Sequence, residues 1–300
     1  MKENYLKNKV ALISGSSMGI GKAIAIELAS RGAKIILNGQ DVEKLYRTET
    51  ELRTKGLQAT AVAGDIRNAE ACKFLIEETV HHYGKLDILV NNAAVSSRGS
   101  VAEMAERNFK ILAETNFMGS AYMSKYAIPY LKETKGHIVF VNSAGGFRGM
   151  PFNSAYSTTK MAQAGLADAL RIELHDSGIH VGIAFVGFTE NDTKKKILDV
   201  DGSWVYLSKR NNLKLAKPES VAQSICLMIV DRKNKITLTG LGKFSDFAIR
   251  YMPRLSNWLL LMNRNKIERE FTLIGGEKVN KKSMPKSRVK QVYRDMEVEV

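Results

Sequence analysis

The run Lys9-Val10-Ala11-Leu12-Ile13-Ser14-Gly15-Ser16-Ser17-Met18-Gly19-Ile20-Gly21 governs the reading of the whole chain. Its first half, residues 9–14, has the length and apolar content of a short buried strand. Helix formers follow over residues 22–31. Between them, Gly15, Gly19 and Gly21 permit a tight turn and let the backbone come close to a ligand. A helix starting there turns free N–H groups and positive potential towards a pyrophosphate. The turn carries this meaning because it joins a strand to a helix; the glycines alone would not.

Outward from this turn, strands and helices alternate. A second strand over 33–38 ends at Gly39, Gln40 and Asp41, where the ribose of an adenosine is normally met. An acid there bonds the 2′-hydroxyl of NAD and repels the extra phosphate of NADP. Gly39 takes the place of that acid and Gln40 follows, which favours NADP(H); nearby Asp41 keeps NAD(H) open. Residues 42–55 read as a helix, 58–63 as a third strand ending at Asp65 and Ile66, and a further helix runs to Tyr83. The fourth strand, 86–90, empties into Asn91-Asn92-Ala93-Ala94, and 103–131 reads as one long helix with Asn116 near its middle. Strands at 137–141 and 179–186 flank a helix over 153–174, and 187–217 is a long loop of the kind that forms lids or binding segments. Pro218 opens a helix to Val230, and 235–239 is a seventh strand. The alternation predicts an α/β fold whose parallel sheet is covered on both faces, with ligands at the carboxyl ends of its strands.

The densest chemistry lies in Ser143-Ala-Gly-Gly-Phe-Arg-Gly-Met-Pro-Phe-Asn-Ser-Ala-Tyr-Ser-Thr-Thr-Lys160. Ser143 follows the fifth strand, and Tyr156 and Lys160, four apart, share one helix face. A cation beside a phenol favours the phenolate and lowers a pKa that is ordinarily about 10. A hydroxyl that gives and takes protons near neutrality is what carbonyl reduction requires. Tyr5 and Lys9 repeat the spacing ahead of the first strand, where they read as surface residues.

The 300 residues, 44% hydrophobic and 25% charged, have the composition of a globular protein with a sizeable core. Cys72 and Cys226 lack metal-ligand spacing and read as buried free thiols of a reducing compartment; no metal site is expected. The polar start shows no secretory signal, and no apolar run approaches the roughly 18–20 residues that span a bilayer, so a cytoplasmic protein is expected. The net charge is +14, yet no nucleic-acid module appears and the cations are dispersed until the last fifth of the chain. From residue 241 the texture changes. Phe244, Phe247, Tyr251, Leu255, Trp258 and Met262 recur at steps of three or four, a helical stripe broken at Pro253 and surrounded by Lys243, Arg250, Arg254, Arg264, Lys266 and Arg269. Such a stripe packs on the domain or a partner copy, covers a greasy substrate pocket, or lies on a membrane surface. Residues 275–300 are polar and charged, the composition of a poorly ordered tail.

Together these pieces resemble the short-chain dehydrogenase/reductase family over residues 7–240, leaving 241–300 as a basic amphipathic extension. Ser14 to Gly21 is similar to the family's Thr-Gly-x-x-x-Gly-x-Gly signature, and Asn91 to Ala94 to its Asn-Asn-Ala-Gly motif. The resemblance implies a Rossmann-like three-layer αβα sandwich with a seven-stranded parallel sheet. It implies a catalytic tetrad of Asn116, Ser143, Tyr156 and Lys160, with Tyr156 as acid/base, Ser143 bonding the carbonyl oxygen, Lys160 tuning the phenol, and Asn116 holding a relay water. It places a nicotinamide dinucleotide on Gly15, Ser17, Met18, Gly19, Ile20 and Gly21, on Gly39, Gln40, Asp65 and Ile66, on Asn92 and Ala93, and on Tyr156, Lys160, Gly187 and Thr189. Val186-Gly187 replaces the usual Pro-Gly, and the family's short Asp-Gly-Gly ending is absent. Long greasy endings occur in members acting on steroids and other lipids, which implies a lipophilic carbonyl or alcohol as substrate. Dimers or tetramers are also implied. A nicotinamide-binding sensor without turnover is the rival reading.

Overall fold

A computed structural model describes residues 4–190, 192, 195–207 and 215–272. The first strand, β1 (Val10–Ile13), leads through the glycine turn into α1 (Gly19–Ser30), which starts earlier than the helix formers alone suggest. β2 (Lys34–Gly39), α2 (Val42–Thr54), β3 (Ala59–Ala63), α3 (Ala69–Tyr83) and β4 (Ile88–Asn91) complete the first half. Asp41 and Asn68 begin α2 and α3 by accepting the N–H groups of Lys44 and Ala71, and Gly84 ends α3 in the left-handed region at φ 76°. The second half holds α4 (Glu106–Leu112), α5 (Gly119–Thr134), β5 (His137–Ser143), α6 (Ser154–Glu173) and β6 (His180–Val186).

The expected long helix runs without a break over 106–134, but its register changes midway. Residues Ala113–Met118, between α4 and α5, form a π-helical segment that carries Asn116. Within the described part of the expected long loop, β7 (Lys196–Leu198) and β8 (Trp204–Tyr206) pair antiparallel as a small hairpin. After it come α7 (Pro218–Val230), β9 (Lys235–Thr237), α8 (Gly240–Tyr251), α9 (Pro253–Met262) and α10 (Arg264–Thr272).

Seven parallel strands form one sheet in the order β3-β2-β1-β4-β5-β6-β9. Alternate residues of a strand face opposite sides. Ile13, Ile35 and Val90 pack under α1 and α7, while Leu12, Ile36 and Leu89 pack under α3, α5 and α6. Because both faces are covered, the central strands are largely apolar, which made them legible as runs, whereas the edge strands β3 and β9 are only partly buried. β1 lies between β2 and β4, so the chain reverses its direction of winding there, and a crevice opens at the carboxyl ends.

Tyr5 and Lys9 are not simple surface residues. The Tyr5 hydroxyl lies 2.7 Å from Nε2 of buried His137, and Lys9 pairs with buried Asp87 at 2.7 Å. Both cysteines are buried, which pushes their thiols up, Cys72 to about 12 and Cys226 to about 11. The aromatic stripe forms α8 and α9, separated at Pro253 as expected; the tail over 275–300 lies outside the described residues.

Candidate active site

The carboxyl ends of β1, β4, β5 and β6 border a cavity of about 500 Å³, a size suited to a small-molecule ligand. Its floor is the turn after β1. Gly15 has φ 63°, and a Cβ there would sit 2.8 Å from the Cα of Ala93. A Cβ on Gly21 would overlap the carbonyl oxygen of Gly15 and Nδ2 of Asn92. Only glycine leaves this cradle open. Ser14 clasps the turn to β4: its Oγ accepts the N–H groups of Asn92 and Ala93 at 3.0 and 3.1 Å. Asn92 in turn donates Nδ2 to the carbonyls of Ser14 and Gly15, both at 2.9 Å. Serine therefore keeps the clasp that a threonine would make. Met18, just before α1, supplies no side-chain cap, so the first N–H groups of that helix remain for an anion. The cradle and the helix end fit a dinucleotide pyrophosphate.

Of the residues expected to hold the dinucleotide, Gly15, Ser17, Met18, Gly19, Ile20, Gly21, Gly39, Gln40 and Ile66 all line the cavity. Asn92, Ala93, Tyr156, Lys160, Gly187 and Thr189 line it too. Asp65 is not among the lining residues and is held by Arg67 at 2.6 and 2.8 Å. Burial alone would raise its carboxyl, but the bonds from Arg67 leave it below the usual carboxylate range. Arg67, which the sequence did not single out, reaches the cavity beside Gln40. Asp41 does not line it. Its carboxylate caps α2 through the Lys44 N–H at 3.1 Å and pairs with the Lys44 ammonium at 2.6 Å.

At the other end, Ser143, Tyr156 and Lys160 converge on the cavity from β5 and α6. Ser143 accepts the Gly145 N–H at 3.2 Å and bonds the Tyr156 phenol. Lys160 is 2% exposed; its Nζ donates to the Val141 carbonyl at 3.0 Å and to Oε1 of Gln163 at 3.2 Å. The expectation that this ammonium depresses the phenol is corrected here. Burial raises the Tyr156 hydroxyl and outweighs the Ser143 bond pulling the other way, so the phenol lies above its ordinary value. Burial also pushes Lys160 down to about 7, and the cation of Lys195 adds to the fall. Desolvation is the largest cause at both groups, so both move towards neutrality.

Asn116 is fully buried in the π segment, outside the cavity wall. Its Oδ1 accepts the Val95 N–H at 2.8 Å, and Nδ2 donates to the Val95 carbonyl and to Thr159, each at 2.9 Å. The side chain thus fastens the loop after β4 to α6 and is spent on that work. The link from Asn116 to Lys160 is its main-chain carbonyl, which accepts Gln163 Nε2 at 3.3 Å, while Gln163 Oε1 accepts the Lys160 ammonium. Gln163 and Asn142, bonded at 3.1 Å, escaped the sequence reading. The signal available for Gln163 was its spacing: three residues past Lys160 and seven past Tyr156, on the same helix face.

A cleft of this build belongs to the class of nicotinamide-dependent oxidoreductases on a parallel sheet. The chain is a member of the short-chain dehydrogenase family, whose profile matches residues 9–201. It is 30% identical over 244 residues to dehydrogenase/reductase SDR family member 7B of Xenopus laevis, covering 79% of this chain and 76% of that protein. It is 36% identical over 257 residues to 11-beta-hydroxysteroid dehydrogenase-like 2 of Arabidopsis thaliana, covering 85% and 76%. Among solved structures, a dehydrogenase/reductase from Sinorhizobium meliloti 1021 superposes with a TM-score of 0.70 at 27% identity, covering 80% of this chain and 97% of that one. The protein is accordingly an NAD(P)-dependent oxidoreductase of this family that acts on a small molecule. Among the described residues, no helix is long and apolar enough to cross a membrane, and no cluster of His, Cys, Asp or Glu could hold a metal ion.

Proposed function

We propose that this protein reduces the carbonyl of a lipophilic small molecule, or oxidises the matching secondary alcohol, with NADP(H). The observation that carries the reading is the convergence of Ser143, Tyr156 and Lys160 on the cavity that also holds the glycine cradle. Lipophilicity is supported by Ile111, Ile197, Trp204 and Leu207 on the cavity wall and by the steroid in the name of the Arabidopsis relative. NADP(H) is supported by Gly39 and Arg67 at the adenosine end and by the engagement of Asp41 elsewhere. Bound there, the dinucleotide supplies or takes the hydride.

The chain's own groups do the rest. Tyr156, kept neutral by burial, donates its proton to the oxygen of the carbonyl being reduced and takes it back in the reverse direction. Ser143 donates a hydrogen bond where negative charge grows on that oxygen. Lys160, poised at about 7, exchanges protons near neutral pH while Val141 and Gln163 hold its ammonium in place. The intact Ser-Tyr-Lys set speaks against a sensor without turnover, which has no use for all three. The reading includes a homodimer or homotetramer, a cytoplasmic setting, a catalytic unit over 1–240, and peripheral membrane contact through 241–300. Nucleic acid has no part in it.

The test is oxidation of NADPH and NADH with ketones of graded chain length. Turnover that rises with chain length and prefers NADPH is expected. Preference for short, polar carbonyls or for NADH would refute the corresponding part.

A further inference from the structure

Helices α8 and α9 leave a broad apolar face uncovered. Phe244, Phe247 and Tyr251 on α8, and Leu255, Trp258 and Met262 on α9, are between 39% and 68% exposed. Their spacing of three and four keeps each set on one helix face. Exposed aromatic and aliphatic side chains in this number mark a contact surface. No described residue of α8 or α9 lines the cavity, so the pocket-cover reading has no support there. Each helix is also too short to span a bilayer, at 12 and 10 residues.

The charges choose the occupant. Lys243 and Arg250 on α8, Arg254 on α9, and Arg264, Lys266 and Arg269 on α10 are all exposed and outnumber the acids of these helices, Asp246, Glu268 and Glu270. The acid within α8, Asp246, is already paired with Lys235 at 2.6 Å. A symmetric dimer would set the same patch of each copy against the other and bring like charges together. A bilayer with anionic headgroups meets both features at once, taking the rings among its acyl chains and the cations among its phosphates. The platform is anchored next to the catalytic strand. Arg148, in the loop after Ser143, donates Nη2 to Asn257 of α9 at 2.6 Å. Lys235 lies over the rings of Phe147 and Phe185 while it holds Asp246.

We infer that the α8–α9 face lies flat on a bilayer carrying anionic phospholipid, seating the Ser143 end of the cavity beside a membrane that holds lipophilic substrate. The inference deepens the peripheral contact proposed above; its statement about substrate rests on the lipophilic reading, while the vesicle binding does not depend on the redox proposal. The full chain is sedimented with vesicles of phosphatidylcholine alone and with phosphatidylserine added, at low and high salt. Binding to the phosphatidylserine vesicles, weakened by salt, is expected. Replacing Arg250 and Arg254 together by Gln should lower vesicle affinity about thirtyfold. Phe247→Ser with Trp258→Ser should abolish it, and both variants should bind NADPH as the parent does. The inference is overturned by failure to pellet with phosphatidylserine or by helix variants that bind as the parent does. It is equally overturned if these substitutions convert a dimer to a monomer with no vesicle binding. NADPH oxidation with a water-soluble ketone reads the redox proposal separately.

Discussion

Acidification from pH 7 to pH 5 should destabilise the fold, and one buried pair sets the amount. His137 and His180 lie side by side at the amino ends of β5 and β6, with Nδ1 atoms 3.0 Å apart, and the Tyr5 hydroxyl contacts the far nitrogen of His137. Burial pushes His137 down to about 3, helped by His180, and pushes His180 down to about 4, helped by Arg232. In the unfolded chain both titrate near 6.5. Below that pH the unfolded state takes up protons that the folded state refuses, so stability present above about 6.5 is lost as pH falls. Each group then costs about 1.4 kcal/mol per pH unit until its folded pKa is reached. Over pH 7 to 5 the pair accounts for roughly 4 kcal/mol, a large part of the 5–15 kcal/mol typical of a domain. Carboxylates held low, such as Asp87, act only at lower pH and do not blur the window. Urea titrations at several pH values measure the effect, with His137→Gln/His180→Gln as the control. A flat profile for the parent, or the same slope in the double variant, would refute the reasoning.

Two further outcomes concern the cavity. Arg67→Ala should weaken NADPH at least tenfold relative to NADH in calorimetry, since a charge-assisted bond is worth about 1.5–3 kcal/mol. An equal effect on both dinucleotides would assign Arg67 to Asp65 alone. Gln163→Leu removes an acceptor from the Lys160 ammonium and should lower that pKa by about one to two units. The limb of the kcat/KM profile belonging to Lys160 then moves to lower pH; an unmoved limb would make Gln163 merely structural.

What the sequence disclosed and what it hid divide along physical lines. The central strands were legible because parallel strands buried on two faces are largely apolar runs, and the glycine turn and Pro218 mark where helices begin. The glycine cradle and the Ser143, Tyr156 and Lys160 set were legible because their spacing is local. The π segment at Asn116 was not, and neither were the bonds of its amide to Val95 on one side and Thr159 on the other, which join residues far apart in the chain. The hairpin of β7 and β8 was hidden because three-residue strands carry no readable period. Contacts such as Tyr5 with His137, 132 residues apart, leave no mark in local pattern. The phenol's ionisation was misjudged because spacing reports which charges are near and says nothing of how dry the site is.

The account turns on Tyr156 as the group that gives and takes the proton, so Tyr156→Phe is the decisive variant. It should bind NADPH with the parent's affinity, because the cradle at Gly15 and Gly21 is untouched, while turnover falls by about 10²–10⁴-fold. Turnover within a few-fold of the parent at unchanged NADPH affinity would contradict the account.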